Sequence, residues 1–318
     1  MWGLFLMSVI VFGSINLDLV ATVTHRPQPG ETLLASSFHS TPGGKGANQA
    51  LAARRMGAEV VMLGSVGHDN FAEPALALLK QAGVDLTYVE QRSDSSTGLA
   101  FIHIDEQGEN SITVVSGVNY QVGTHNLEML EKILTANDIL IMQLEIPLAI
   151  VEQAIAIAHR KGTTILIDPA PGNSNLPASL LAVDILVPNR GEAAMILGRP
   201  LESIEEAQEA ASELHQRGVK LSVVKLGSEG VVWAHEDDTG YQPAFKVQAV
   251  DSTGAGDAFA GALAALLDQA RNQGLQVSIA EAMRKASIFA ALSTTRPGAQ
   301  QSYPSLAEVA AFEKKSQQ

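Results

Sequence analysis

Short apolar runs alternate with longer helical patterns along most of this chain. Because the runs are apolar at successive positions, they predict strands that are buried on both faces. The predicted strands are residues 8–13, 60–63, 139–143, 164–167, 185–187 and 222–225, and the predicted helices are 47–56, 71–81, 148–160, 204–216, 258–270 and 279–292. Strands of this kind separated by helices are typical of an α/β fold with a mostly parallel central sheet flanked by helices.

Two regions do not follow this alternation and predict a separate small sheet. Strands are predicted at residues 17–24 and 32–40, on either side of the turn RPQPGE, and GLAFIHIDEQGENSITVV predicts a hairpin that turns at 106–109. We expect these four strands to be antiparallel and to form a β-sheet lid. The predicted organisation is one domain over residues 1–318, with the lid strands within about 15–41 and 98–116.

The composition limits the classes of partner. A formal net charge of -13 argues against a nucleic-acid or anionic-membrane surface, because such surfaces need clustered Lys and Arg. The chain has no cysteine, which excludes disulfides, thiolate metal sites and a cysteine nucleophile, and favours the cytoplasm. Its eight histidines lack the H-x-x-x-H and H-E-x-x-H spacings, which argues against a fixed zinc site.

The apolar start of the chain, MWGLFLMSVIVFGS, has two interpretations. A signal peptide would carry a basic first region and a small-residue cleavage site, and this segment has neither. Its apolar run is also too short to span a bilayer. We therefore predict that it contains the first core strand, with secretion as the alternative.

Polar side chains follow several of the predicted strands. They are Gln143 and Glu145 after DILIM, Asp168 after TTILI, Asn189 after DILVP, and Lys225 after LSVV. Open α/β sheets bind ligands at the carboxyl ends of their strands, so we expect these side chains to converge on one crevice. The alternative is that polar residues simply end strands. For Asp168 we leave a structural role and a place near the crevice both open.

The stretch DSTGAGDAFAGALAALL, residues 251–267, places glycines and an aspartate before an apolar helical run. It has neither the P-loop pattern nor the third glycine of a dinucleotide fingerprint. We predict a strand at FKVQAV, a turn, and a helix from near Asp257. Gly254 and Gly256 would then open first-turn amides to an anion, and Asp257 could accept a proton from an attacking hydroxyl. A tight turn followed by an ordinary helix carboxylate is the alternative.

A second glycine cluster, TPGGKGANQALAARRMG, also leads into a predicted helix. Its Lys45 and Asn48 can hydrogen-bond hydroxyls and stabilise negative charge. Carboxylates and amides suit polyol binding, and Asn16, Asp18 and Glu145 add such groups. The alternative is that these Asn and Asp residues only cap turns.

The two glycine clusters together resemble the two signatures of the ribokinase-like (PfkB-type) sugar kinases. The segments GSINLD, MQLEIP, VPNRGEA, KLGSEGV and TTRPGAQQS are similar to the family in the same order, so the resemblance covers about residues 9–312. It implies a three-layer α/β fold with a β-sheet lid, and ATP-dependent phosphorylation of D-ribose at the 5-hydroxyl. A kinase for deoxyribose, fructose, adenosine or another small sugar or nucleoside remains the alternative.

The resemblance also implies roles for individual residues. Asp257 would be the catalytic base, and Gly254, Ala255 and Gly256 would supply the anion hole. The sugar would be held by Asn16, Asp18, Gly43, Gly44, Lys45, Gly46, Asn48 and Glu145. ATP would be contacted by Asn189, Glu192, Lys225, Gly227, Ser228, Gly230, Gly256 and Ser287, with Glu192 near a magnesium ion that arrives with ATP. A potassium ion would lie, mostly on backbone oxygens, among Asp251, Thr253, Ser293, Arg296, Gly298 and Ser302.

Three positions depart from the family pattern. Lys225 stands where many members have threonine, Ser287 where asparagine or histidine often lines the adenine pocket, and Pro297 lies inside the cation loop. A binding protein that lost its chemistry is an alternative class, and the intact GAGD argues against it. A dehydrogenase is opposed by the missing fingerprint. Because an unpaired lid edge invites pairing, we expect a homodimer in which two lids pack together, with no nucleic-acid or membrane partner.

Overall fold

The computed structural model describes residues 8–236, 238–275 and 278–316. Residues 1–7, on which the signal-peptide alternative depends, lie outside the described residues. The strands are β1 (Val9–Phe12), β2 (Asn16–Thr22), β3 (Ser37–Gly43), β4 (Val60–Gly67), β5 (Asp85–Arg92), β6 (Gly98–Ile104), β7 (Asn110–Val115), β8 (Ile139–Met142), β9 (Thr164–Ile167), β10 (Ile185–Leu186), β11 (Leu221–Lys225), β12 (Val231–His235) and β13 (Asp238–Gln242). The helices are α1 (Lys45–Arg55), α2 (Ala72–Ala82), α3 (Thr124–Ile133), α4 (Leu148–Lys161), α5 (Arg190–Leu197), α6 (Ile204–Gln216), α7 (Ala255–Asn272), α8 (Ile279–Ser293) and α9 (Leu306–Ser316).

Nine strands form the central sheet, in the order β13-β12-β11-β10-β9-β8-β1-β4-β5. Neighbours from β5 to β11 are parallel, whereas β12 and β13 are antiparallel additions at one edge. Successive residues of β1 face opposite layers: Val9 and Val11 belong to the apolar core that includes α1 and α7, and Ile10 and Phe12 belong to the core on the other face, which includes α4 and α6. The predicted α/β fold with helices on both faces is confirmed.

The lid is a separate four-stranded sheet in the order β3-β2-β6-β7. β2 pairs antiparallel with β3 and β6 antiparallel with β7, but β2 and β6 are parallel. The prediction that all four segments are antiparallel is therefore wrong. β2 and β6 follow β1 and β5, which run in the same direction in the body, so both enter the lid with the same orientation.

Several predicted boundaries are also wrong. Residues 32–36 form no strand, because β2 ends at Thr22 and its pairing with β3 begins there, opposite Ser37. Residues 245–250 form no strand either, and the N–H of Val250 donates instead to the carbonyl of Thr294 at 2.7 Å. The sequence reasoning missed β5, β12, β13, α3, α5 and α9. Among the described residues, no helix is long and apolar enough to cross a lipid bilayer.

Candidate active site

The carboxyl ends of four parallel strands meet below the lid. Polar side chains at or just after the ends of β8, β9 and β11 are joined there: Lys225 Nζ donates to Asp168 Oδ1 at 2.9 Å, and Gln143 Nε2 donates to Gln49 Oε1 at 2.7 Å. After β1, the Ser14 hydroxyl donates to Glu145 Oε2 at 2.5 Å. The predicted convergence of strand-end side chains on one crevice is therefore borne out, and Asp168 lies inside it.

Asp257 lies in the first turn of α7 and is buried. Its Oδ2 accepts from Asn48 Nδ2 at 2.9 Å, and its Oδ1 accepts from Gln49 Nε2 at 3.1 Å. Both donors are on α1, and Gly261 lets the two helices approach, since a Cβ there would lie 2.3 Å from the Gln49 carbonyl oxygen. Burial raises the pKa of Asp257, and the charge of Lys45 opposes that rise. The two glycine clusters are thus brought together on one carboxylate.

The start of α7 is exposed to the crevice through Gly254 and Gly256. Gly254 has a φ of 71°, in the left-handed region that favours glycine, and a Cβ there would lie 2.7 Å from Ala299 Cβ. The Tyr303 hydroxyl donates to the Gly254 carbonyl at 3.0 Å, which fixes this turn. The helix begins at Ala255, earlier than the predicted 258. The N–H of Ala255 donates to the Ser252 carbonyl at 3.1 Å, so it is not a free donor here.

The lid strand β2 contributes Asn16 and Asp18 to the crevice. Asn16 Oδ1 accepts from Asn119 Nδ2 at 2.8 Å. The Asp18 carboxylate lies against Gly43, where a Cβ would come within 2.3 Å of Oδ2, so a larger residue at 43 would displace it. Burial, and then the charges of Glu145 and Asp257, raise the pKa of Asp18 to about 7.

Lys45 and Glu145 lie close to each other and to Asp257. The backbone N–H of Lys45 donates to Glu145 Oε2 at 3.2 Å, and Gly44 precedes α1 with a φ of 87°. The charge of Asp257 is the largest cause of a raised pKa of Lys45, so this ammonium stays protonated. Gly46 packs on the connection after β1, where a Cβ would lie 2.7 Å from Ser14 N. Burial and the charges of Glu145 and Asp257 raise the pKa of Asp18, and the charges of Asp257 and Glu145 also raise the pKa of Lys45, so these four side chains lie close together.

A cavity of about 700 Å³ opens on the other side of the α7 N-terminus. It has a volume typical of a small-molecule site. Of the predicted ATP-contacting residues, the following line it: Lys225, Gly227, Ser228, Gly230, Gly256 and Ser287. Residues of α8 and the segment Ala244, Phe245, Lys246, Val247 and Ala249 form much of the remaining wall.

Asn189 and Glu192 do not line this cavity but lie beside it. Asn189 forms an isolated parallel bridge with Lys225, and it caps α5 by accepting from the Glu192 N–H at 2.8 Å. Glu192 Oε2 in turn accepts from the Asn189 N–H at 2.7 Å. Burial, and then the charge of Asp168, raise the pKa of Glu192.

The predicted cation residues lie on the loop before α7, at the end of α8 and in the segment that follows α8, and Asp251 joins the first of these to the last. Asp251 Oδ1 accepts from the Thr253 hydroxyl at 2.6 Å, and Oδ2 accepts from the Gly298 N–H at 2.7 Å. The hydroxyls of Ser293 and Ser302 donate to backbone carbonyls three residues earlier, those of Ala290 and Ala299 respectively. The Arg296 side chain turns to Glu308. In the described part of the chain, no group of three or more His, Cys, Asp or Glu residues could hold a metal ion.

The comparison with protein families decides the class. The model of the pfkB family carbohydrate kinases matches residues 7–306. The chain belongs to this family. It is 36% identical over 301 residues to a deoxyribokinase of Salmonella typhi, covering 94% of this chain and 96% of that protein. It is also 36% identical over 306 residues to a ribokinase of Haemophilus influenzae, covering 96% of this chain and 98% of that one.

Solved structures of the family share the fold. The structure of Arabidopsis thaliana ribokinase complexed with ribose and ATP matches with a TM-score of 0.86 and 31% identity, covering 97% of this chain and 99% of that one. A ribokinase from Giardia lamblia matches with a TM-score of 0.87 and 29% identity, with coverage of 98% and 99%. The predicted membership of the ribokinase-like kinases is thus confirmed, whereas the roles of single residues stay predictions.

The family signatures predicted most of the residues of the crevice, but they did not predict the hydrogen bonds that join these residues. Gln49 donates from one amide nitrogen to Asp257 Oδ1 at 3.1 Å and to Asp168 Oδ2 at 2.9 Å. The Ser14 hydroxyl donates to Glu145 Oε2, and Asn119 Nδ2 donates to Asn16 Oδ1. Gln49 directly follows Asn48 in the first glycine cluster, so the sequence could have identified it as a residue of the crevice. No sequence pattern identifies Asn119, because only the fold brings it beside β2.

Proposed function

We propose that this kinase catalyses the ATP-dependent phosphorylation of D-ribose at its 5-hydroxyl. The observation that carries the proposal is the position of Asp257. This buried carboxylate lies in the first turn of α7, whose Ala255 and Gly256 line a nucleotide-sized cavity, and it accepts a hydrogen bond from Asn48 of the first glycine cluster. A hydroxyl and a terminal phosphate could meet at that point, as phosphoryl transfer requires.

Asp257 would act as the base. The sugar oxygen forms a bond to the γ-phosphorus while the bond from that phosphorus to the bridging oxygen of ADP breaks, and the hydroxyl proton passes to Asp257. The raised pKa of Asp257 makes it a better proton acceptor than an ordinary aspartate. The Asn48 and Gln49 amides fix both carboxylate oxygens, so the base is positioned before the substrate arrives.

The α7 N-terminus would stabilise the charge of the transferred group. Its first-turn amides carry the positive end of the helix dipole, and Gly256 leaves them without an obstructing side chain. Fixed donors of this type commonly provide the largest share of transition-state stabilisation. The Ala255 N–H would have to leave the Ser252 carbonyl if it is to join them.

The sugar would be held by the lid and by the first cluster. Asn16 and Asp18 on β2, together with Lys45, Asn48 and Glu145, offer acceptors and donors to neighbouring hydroxyls. Because β2 belongs to the lid, binding of the sugar would bring the lid over the crevice and exclude water from the transferred phosphate.

Magnesium and potassium would act with ATP. Glu192 and Asn189 offer oxygens beside Lys225 for magnesium that arrives as the ATP complex. Partial burial opposes ionisation of Asp251, but hydrogen bonds from Thr253 and Gly298 outweigh it and lower the pKa of Asp251, so this loop carries a negative charge that fits a monovalent cation. A cation bound there would support the anion hole electrostatically.

Two copies of the chain would pair through their lids. The lid face that carries Asp18 also carries Val20, Ile102 and Ile112, as the strand register shows. About half of the Ile112 side chain is exposed. A second lid would cover this apolar face and the sheet edges, which are otherwise open to other strands. One domain over residues 1–318 and a cytoplasmic location likewise stay predictions.

Deoxyribose is the second candidate, because the chain is as similar to a deoxyribokinase as to a ribokinase. The test is a coupled assay with ribose, deoxyribose, fructose and adenosine, each with and without potassium. We expect the highest kcat/KM with ribose and a further increase with potassium. Higher kcat/KM with deoxyribose would replace the proposed substrate, and turnover of none of the four would overturn the proposed function.

A further inference from the structure

Lys225 places an ammonium group directly beside the α7 N-terminus. A Cβ built on Gly256 would lie 3.2 Å from Lys225 Nζ, with no other side chain nearer to it. The lysine side chain is only 13% exposed. It lines the nucleotide cavity next to Ala255 and Gly256, so it reaches the point where the cavity meets the predicted anion hole.

Asp168 holds this ammonium in place. Its Oδ1 accepts from Lys225 Nζ at 2.9 Å, and its side chain is 2% exposed. The other oxygen, Oδ2, accepts from Gln49 Nε2, which also donates to Asp257. A buried ion pair costs desolvation free energy on both partners, so its place beside a reaction centre calls for a reason other than stability.

The charges around the crevice can explain why this ion pair lies beside the reaction centre. Among the described residues, five carboxylates lie there with Lys45 and Lys225 beside them, and the carboxylates would repel an incoming triphosphate. The carboxylates are Asp18, Glu145, Asp168, Glu192 and Asp257. Lys45 is engaged chiefly by Asp257 and Glu145, on the sugar side. Two lysines line the cavity among the described residues: Lys225 is largely shielded from solvent and held by an ion pair, whereas Lys246 is exposed.

We infer that Lys225 is a further catalytic residue, whose ammonium contacts the non-bridging oxygens of the phosphoryl group during transfer, and that Asp168 is a positioning residue for it. The inference rests on the proposed function. The bonds formed and broken are those of the proposed reaction, and Lys225 donates hydrogen bonds without giving up a proton. The hydrogen bonds would strengthen as charge moves onto the transferred group and the leaving oxygen of ADP.

The test separates binding of ATP from stabilisation of the transfer step. In Lys225→Thr we expect kcat with ribose to fall by about 10²-fold, while the KM for ATP and the Kd of ADP change by less than about threefold. The Kd of ADP with aluminium fluoride, in the presence of ribose, should rise by a factor similar to the loss in kcat. A raised KM for ATP with unchanged kcat would make Lys225 a ground-state contact only and would overturn the inference.

Two further variants guard against a folding defect. Lys225→Thr leaves the buried Asp168 carboxylate without its cation, which should lower the thermal stability. The double variant Lys225→Thr with Asp168→Asn should regain that stability but still show the reduced kcat. Asp168→Asn alone should lower kcat by about 3- to 10-fold, because the lysine remains but is no longer fixed. Recovery of kcat in the double variant would show that Lys225 acted only through stability, and the inference would fail.

The matched control is another lysine–aspartate pair at the opposite end of β11. Lys220 Nζ donates to Asp184 Oδ1 at 2.6 Å, far from the crevice. Lys220→Thr should leave kcat unchanged, and an equal loss in this variant would contradict the inference. If the unchanged enzyme phosphorylates ribose and Lys225→Thr retains full kcat, only the inference fails. If the unchanged enzyme phosphorylates no sugar of the panel, the proposed function and the inference fail together.

Discussion

Gln49 and Asp257 are joined by a hydrogen bond of 3.1 Å between side chains on two neighbouring helices, although 208 residues separate them in sequence. Gln143 Nε2 donates to Gln49 Oε1 at 2.7 Å. This hydrogen bond orients the Gln49 amide nitrogen toward the Asp257 carboxylate. A donor fixed in this way favours the ionised form of Asp257 and one orientation of its oxygens. Gln49 is therefore a positioning residue for the proposed base.

Replacing Gln49 by leucine should raise the pKa of Asp257 further, because one hydrogen bond to the ionised carboxylate is lost. We expect kcat to fall by about tenfold and the acidic limb of the kcat profile to move to higher pH. Steady-state kinetics between pH 5 and 9 would show this. The exposed Gln153 on α4 gives the control variant Gln153→Leu. A lower kcat with no shift of the acidic limb would contradict this role for Gln49.

Replacing Asp257 by asparagine should remove the proton acceptor and keep the size of the side chain. We expect kcat to fall by about 10²- to 10⁴-fold, while ribose binding measured by calorimetry stays close to that of the unchanged protein. Asp268→Asn, on the same helix but away from the crevice, should keep kcat. Turnover that survives Asp257→Asn would remove this residue from the mechanism.

The affinity for ribose should rise with pH because of Asp18. Its pKa is raised to about 7, so about a tenth of the carboxylate is ionised at pH 6 and about nine tenths at pH 8. If the ionised form accepts the hydrogen bonds of the sugar, the Kd for ribose should fall by about tenfold over that interval. In Asp18→Asn the Kd should be independent of pH there. Calorimetric titrations at four pH values would test both expectations, and a flat Kd in the unchanged protein would argue against Asp18 as the acceptor.

The stability of the fold should carry a pH dependence from Asp268. Burial, and then the charge of Asp138, raise its pKa to about 6 from a usual value of 3.8. The folded state therefore binds more protons than the unfolded state between these values, so the free energy of unfolding falls as the pH rises through this window. Asp268→Asn should gain about 1–3 kcal/mol above pH 6 and little at pH 4. Urea unfolding at pH 4, 5, 6 and 7 measures this, and a gain of the same size at every pH would contradict the assignment.

A charge on the Asp18 face of the lid should separate the proposed dimer. Ile112 lies on that face, and its neighbour Thr113 lies on the opposite one. Ile112→Lys should give a monomer at micromolar concentration, whereas Thr113→Lys should remain dimeric. Light scattering after gel filtration distinguishes the two. A monomer before any substitution, or loss of the dimer only with Thr113→Lys, would contradict pairing through this face.

The sequence was informative wherever a local pattern determines the structure. Apolar runs such as residues 164–167 predicted buried strands, and glycines beside an apolar run predicted α7, although not its first residues. β5, by contrast, is an edge strand with many half-exposed positions, so its pattern lacks the continuous apolar run. The lid pairing between β2 and β6 depends on strands elsewhere in the body, and local spacing carries no information on it.

In the crevice, too, some features follow from local sequence patterns and others only from the fold. The family signatures named Asp257 and Asn48, but the pair of Asp168 and Lys225 is formed by strands that are two positions apart in the sheet and 57 residues apart in sequence. Neither residue belongs to a glycine cluster. Their partnership follows from the order β9-β10-β11, which only the structure provides.

The short connection from β1 to β2 links the lid mechanically to the reaction centre. Its three residues, Gly13 to Ile15, include Ser14, whose hydroxyl donates to Glu145 and accepts from the N–H of Gly46 at 3.4 Å. If the lid swings about this connection, we expect the motion to reach the start of α1 through the Gly46 hydrogen bond and Asp257 through Asn48. Opening of the lid would then also release the proposed base, and we expect an enzyme with its lid raised to transfer little phosphate to water.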